Sequence, residues 1–229
     1  MQRDERMKAV VTWVFALLLT LSAGSVHSNE LDTENPFRML EQIAERITTR
    51  IASERTRIES NPQYLRTIME EELLPYSDYQ FAARSVMARN WQRLNEAQQT
   101  EFVEVFREYL ITTYARVFTQ FDESKHKLNF ARGGDYENQR RVVVRAQLIE
   151  EGGRPPIRLD FHLQRRNPTA PWMAFDLVAE GVSMLNTQQA EMQSSLRQNG
   201  IDGTIQLLRD RANVEIRLDE DLDVSDFTN

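Results

Sequence analysis

The sequence predicts an α+β fold in which helices pack on a twisted four-stranded antiparallel sheet. Two observations carry this. Apolar residues recur every three or four positions from Asn35 to Phe121, and at every second position in the runs between Lys125 and Leu177. The second-half strands are apolar on one side and charged on the other, which gives the helices a face to cover.

The chain starts with an address. Arg3, Arg6 and Lys8 precede the apolar run Ala9 to Leu21, broken only by Thr12 and Thr20. Small and polar residues follow to Ser28, and Val26 and Ser28 suit the two positions recognised before a cut. This predicts a cleaved secretory signal peptide over 1–28, because the run is too short for a comfortable membrane span. With no cysteine in the chain, a lipoprotein anchor is excluded, and an exported domain must be held by its core rather than by disulfides. Cleavage removes three cations and two carboxylates and takes the formal charge from −7 to −8. So acidic a surface argues against nucleic acid and against stable adsorption to anionic headgroups. The expected divisions are the leader 1–28, one domain 29–218 and an acidic disordered tail 219–229.

The helices are read in order. Asn35 and Pro36 open the first, which carries Phe37, Leu40, Ala44, Ile47 and Ile51. Asn61-Pro62 repeats the signal for a second with Leu65, Ile68, Met69 and Leu73, closed by Pro75. A short third helix is expected from about Asp78 to Arg89. Asn95 caps a long fourth, with Glu96 and Glu101 near its positive end. Its apolar residues, Phe102 to Phe121, cover an arc of about 220°, roughly twice what a surface helix needs. Either two layers bury this helix or part of the arc lines a cavity.

The strands follow. A weak one is expected near Lys127 to Ala131. Val142, Val144, Ala146 and Leu148 form the inward set of the next, and Ile157, Leu159, Phe161 and Leu163 that of the third. Met173, Phe175 and Leu177 read as the inward set of the fourth, with Trp172, Ala174 and Asp176 opposite. Turn segments at 151–156 and 167–171 join them. Two further helices, Ser183 to Gln198 and Thr204 to Arg211, are separated by Gly200.

Reactive constellations are scarce. His126 and His162 read as solvated, Ser183 as a helix cap and Glu70-Glu71-Glu72 as a solvated face. Asp176 and Glu180 could form an acid/base pair, but the predicted face of Asp176 favours a structural role. No metal-ligand spacing, P-loop or nucleophile elbow is present. An exported domain rich in apolar side chains and poor in chemistry points to binding.

Several strings then carry a resemblance. They are Asn35-Pro-Phe-Arg-Met-Leu40, the run from Asn61-Pro-Gln-Tyr to Leu-Leu-Pro-Tyr76, and Phe106-Arg-Glu-Tyr-Leu110. The others are Gly153-Arg-Pro-Pro-Ile-Arg-Leu-Asp-Phe161, Asp176-Leu-Val-Ala-Glu-Gly-Val-Ser-Met184 and Gly200-Ile-Asp-Gly203. In this order and spacing the chain resembles the MlaC family, the periplasmic phospholipid-binding components of the Mla pathway of outer-membrane lipid asymmetry, also known as toluene-tolerance proteins. The resemblance implies helices and sheet enclosing a deep apolar lipid pocket, periplasmic location, no enzymatic activity, no metal and no cofactor beyond phospholipid cargo. The partners it implies are an outer-membrane lipoprotein–porin complex and the substrate-binding ring of an inner-membrane ABC transporter; a monomer is expected. The residues expected to line the pocket are Leu73, Leu74, Phe81, Val86, Phe102, Phe106, Tyr109, Tyr114, Val144, Leu159, Phe161, Phe175, Val182 and Met184. The acidic charge of this chain departs from the neutral or basic character of such proteins and bears on partner electrostatics. The rival classes are a small cavity-based periplasmic isomerase or dehydratase, which needs an acid or base inside the cavity, and a periplasmic chaperone with an exposed groove.

Overall fold

The computed structural model describes residues 31–152 and 155–219, and the fold below concerns the unit from Asp32 onward. The expected leader 1–28 with its cleavage point, Gly153 and Arg154, and the tail from residue 220 lie outside the described residues.

Local signals place the helices. In α1 (Pro36–Ser53) the Asn35 side chain accepts hydrogen bonds from the Phe37 and Arg38 amides at 3.1 and 3.2 Å, and Pro36 starts the helix without wasting a donor. Its stripe Met39, Leu40, Ile43, Ile47 and Ile51 is buried. The short α2 (Arg55–Ser60) leads to α3 (Tyr64–Glu72), which packs on α1 and buries Leu65, Ile68 and Met69. Pro75 closes it in a 3-10 turn, Leu74–Tyr76. Asp78 caps α4 (Tyr79–Met87) by accepting from the Phe81 amide at 3.1 Å.

The long α5 (Glu96–Thr119) opens on a reciprocal capping box between Asn95 and Gln98. Asn95→Ala is expected to cost about 1 kcal/mol, read as a lower urea midpoint at unchanged slope. The two last helices of the sequence reading follow one another as α6 (Met184–Ala212), kinked where expected at Gly200, whose φ of 69° and ψ of −171° leave the helix and suit a residue without a Cβ. The break is bridged by Thr204, whose hydroxyl donates to the Gly200 carbonyl at 2.7 Å.

Glu70, Glu71 and Glu72 are more than the solvated face expected of them. Glu71 and Glu72 pair with Arg50 of α1 at 2.6 and 2.9 Å, and Glu70 pairs with Arg107 of α5. Three consecutive residues point different ways around a helix, so this triplet reaches the neighbours on both sides of α3.

The antiparallel sheet has strands β1 (His126–Phe130), β2 (Arg141–Glu150), β3 (Ile157–Gln164), β4 (Met173–Ala179) and β5 (Val182–Ser183), adjacent in that order. Four strands were expected; the fifth is a two-residue return too short for any periodicity to reveal. It is made by the turn Glu180-Gly181, whose φ values of 50° and 86° match the tight hairpin geometry that requires positive φ twice.

A second departure has larger consequences. β4 carries one extra residue: His162 pairs with Asp176 and Leu163 with Ala174, which leaves Phe175 unpaired between them. The bulge shifts the in-out phase of β4 by one residue. Leu177 pairs with Phe161 and shares its face as predicted, whereas Ala174 moves to the Leu163 face and Met173 pairs with Gln164. The Phe175 ring lies 6.0 Å from the ring of His162, on the side away from Phe161. Trp172, expected on the polar side, is instead fully buried, its indole N–H donating to the Glu34 carbonyl at 3.0 Å.

Candidate functional site

Burial divides the apolar residues into two populations. One is a sealed cluster made by helices alone, with Val86 and Met87 of α4, Phe102 and Phe106 of α5, and Met192 and Leu208 of α6 at most 1% exposed. The other lies on the sheet, and much of it is only half covered. Strand pairing places Leu128, Leu148, Ile157, Leu159, Phe161 and Leu177 on one face, and all six are half-buried. Phe130 of β1 stacks on Phe161 at 6.3 Å between ring centres.

The second half of α5 continues this pattern. Tyr114 and Phe118 are half-buried, as is Phe121 just past the helix, 5.9 Å from the His126 ring at the start of β1. α5 packs chiefly against α3, α4 and α6 rather than against the sheet. An apolar face of this size, neither sealed nor freely solvated, has unfinished contacts. Between α1 and β1 a cleft of about 700 Å³ opens to solvent. Phe121, Leu128 and Phe130 form its apolar part, and Glu41, Glu45, Thr48 and Lys127 its polar part. Its volume falls in the range of small-molecule sites.

The candidates read from the sequence separate accordingly. Leu159 and Phe161 lie on the half-covered face, where Val144 is their fully buried in-register neighbour. Tyr114 is half-buried on α5, Leu73 is half-buried and Leu74 buried at the end of α3, and Met184 is half-buried at the start of α6. Val86, Phe102, Phe106 and Tyr109 belong to the sealed helical cluster. Phe81 and Phe175 pair edge-to-face at 5.3 Å on the His162 side, under the Arg141 guanidinium. Val182, at 41% exposure, is at the hairpin. Sequence reasoning passed over Leu128, Phe130, Leu148 and Leu177 as wall residues; only cross-strand register reveals them, as partners and neighbours of Leu159 and Phe161.

The polar groups nearby have structural duties. Asp176 accepts from the Ser183 hydroxyl at 2.6 Å and the Leu185 amide at 2.9 Å, and Ser183 caps α6 by accepting from the Asn186 amide at 3.0 Å. Tyr109 lies against Thr113, Gln188 and Arg211, and burial raises its pKa. Tyr114 is the exception. Desolvation, with a lesser contribution from the Asp176 carboxylate, pushes its pKa up to about 12, and among the described residues its hydroxyl has no hydrogen-bond partner.

Asp122 holds the turn from α5 into β1. It accepts from the Ser124 hydroxyl at 2.6 Å and amide at 3.0 Å, with Lys125 at 3.3 Å, and these bonds lower its pKa to about 2. Its contribution to stability is therefore complete above about pH 4 and lost as pH falls towards 2. Asp122→Asn is expected to flatten the acid fall of Tm in that window and leave the neutral-pH slope unchanged. Among the described residues no group of side chains could hold a metal ion, and no helix is long and apolar enough to cross a membrane.

Comparison with known proteins agrees with this architecture. The chain is 26% identical over 204 residues to the intermembrane phospholipid transport system binding protein MlaC of Haemophilus influenzae, covering 89% of this chain and 94% of that one. Its fold resembles a phospholipid-binding protein of Ralstonia solanacearum, solved in complex with a phospholipid. The TM-score is 0.68 at 18% identity, over 78% of this chain and 97% of that one. The family model described as MlaC protein matches residues 41–210, three quarters of the sequence, and the chain belongs to that family.

Proposed function

We propose that this protein is a periplasmic phospholipid carrier, which holds acyl chains against the half-covered face while it moves lipid between the outer and inner membranes. The observation that carries this reading is the contrast between a helical core that is sealed and an apolar sheet face that is not. The lipid-binding names of the relatives support the same assignment.

Energetics explain why a carrier needs an enclosure rather than a groove. Each methylene withdrawn from a bilayer into water costs about 0.8 kcal/mol, so two chains of about sixteen carbons cost on the order of 25 kcal/mol. Lipid leaves a membrane at a useful rate only if the protein replaces nearly all of that environment. Side chains such as Phe161, Leu159 and Leu177 supply it without chemistry, and the carrier role needs no catalytic group, metal or cofactor. Export by a cleaved leader would place the protein between its expected partners, an outer-membrane lipoprotein–porin complex and the substrate-binding ring of an ABC transporter. Outer-membrane lipid asymmetry is then the outcome of the traffic, with its direction and energy set at the transporter.

The test is denaturing mass spectrometry of an organic extract of the mature protein, purified from periplasm without detergent. Stoichiometric diacyl phospholipid is the expected result. A clean extract from protein that also takes up no lipid from vesicles would sink the carrier reading.

A further inference from the structure

The cleft between α1 and β1 runs into the half-covered sheet face. Leu128 and Phe130 belong to both: they line the cleft, and Leu128 pairs with Leu148 while Phe130 stacks on Phe161 at 6.3 Å. The two walls of the cleft differ in charge. Glu41 and Glu45, one turn apart on α1, stand on one side, and His126 and Lys127 of β1 on the other. Among the described residues, neither carboxylate has an ion-pair partner, and nor does the Lys127 ammonium. His126 accepts the Asp122 amide on Nδ1 at 3.0 Å, which puts its proton on Nε2 and leaves that N–H as the donor it can offer the cleft.

We infer that this cleft seats the headgroup of the cargo and selects a phosphoethanolamine group, with the ammonium against Glu41 and Glu45 and the phosphate against Lys127 and the His126 Nε2–H. The inference rests on the carrier reading and adds a headgroup preference to it. Like charges four residues apart on a helix repel, and a cation placed beside them relieves that repulsion. The carboxylates here do not converge into a metal site, so the cation that suits them is an organic ammonium. A zwitterion matches both walls at once, whereas a glycerol headgroup offers the α1 wall no cation. Acyl chains attached to the phosphate continue over Leu128 and Phe130 onto the sheet face, which favours a lipid over a soluble zwitterion.

The experiment offers delipidated mature protein equal amounts of phosphatidylethanolamine and phosphatidylglycerol in one vesicle, with the same chains, and counts captured lipid by mass spectrometry. Wild type is expected to retain the ethanolamine lipid about fivefold over the glycerol lipid, and the double variant Glu41→Gln/Glu45→Gln to bring that ratio to about one. Glu96→Gln/Glu104→Gln removes the same charge from exposed sites in the first half of α5 and should keep the wild-type ratio. Lys127→Gln should lower retention of both lipids about threefold and leave their ratio unchanged, because both carry the phosphate. Glycerophosphoethanolamine in large excess should not displace bound lipid; displacement would make this a site for the soluble group and overturn the lipid assignment. A wild-type ratio of one overturns the inference. So does a Glu41→Gln/Glu45→Gln protein that keeps the ratio, a distant pair that abolishes it, or a Lys127→Gln protein with wild-type retention. Each of these leaves the carrier reading standing, and uptake of neither lipid by wild type overturns both.

Discussion

Phe106→Ala is expected to remove about 3–5 kcal/mol of stability, a large share of the 5–15 kcal/mol that a domain of this kind has in total. Phe106 is 1% exposed, stacks on Phe102 at 6.0 Å and lies in the cluster where α4, α5 and α6 meet. Its removal leaves a cavity that no neighbouring strand can collapse into. The measurement is urea unfolding of delipidated protein, because bound lipid would add its own stabilisation by mass action. Lipid captured per folded molecule should stay near the wild-type value, since Phe106 faces helices rather than the half-covered sheet. A variant of normal stability that had lost its lipid would move Phe106 from the core to the binding wall.

That contrast marks where the sequence stops being legible. Caps and periods are local, and they carry the helices well: Asn35, Asn61-Pro62, Asp78, Asn95 and Ser183 all stand at or just before helix starts in the structure. The period-two runs place β2 and β3 with their inward sets intact. The failures are all cases where a distant partner decides. A single extra residue in β4 reverses the faces of Trp172, Met173 and Ala174 and turns Phe175 towards His162, and no feature of composition around it announces a bulge. The wide arc read around α5 divides between the sealed cluster at Phe102 and Phe106 and the half-covered end at Tyr114 and Phe118, with Phe121 just past the helix. Periodicity counts apolar positions and is blind to which of them meets a filled or an open neighbour. The family resemblance supplied the idea of a pocket, but the choice of wall residues depends on register, which explains why Leu128, Phe130 and Leu177 were passed over.

The distinction between filled and open becomes measurable when bulk is added rather than removed. Leu159→Trp places an indole on the half-covered face beside Phe161. In a close-packed core the extra volume would strain its neighbours and cost about 1–3 kcal/mol. On a face with space before it, delipidated Leu159→Trp is expected to unfold within about 0.5 kcal/mol of wild type. The indole then occupies volume that acyl chain would fill. Excluding about two methylenes at about 0.8 kcal/mol each lowers lipid retention about tenfold, read by mass spectrometry after exchange with vesicles. Val144→Phe is the matched control, because Val144 lies on the same face but is fully enclosed. It should show the opposite pattern, with stability reduced by about 1–3 kcal/mol and lipid per folded molecule little changed. If Leu159→Trp instead behaves like Val144→Phe, the sheet face is an ordinary dense core and the lipid must be held elsewhere, with the acidic-rimmed cleft between α1 and β1 the next place to look.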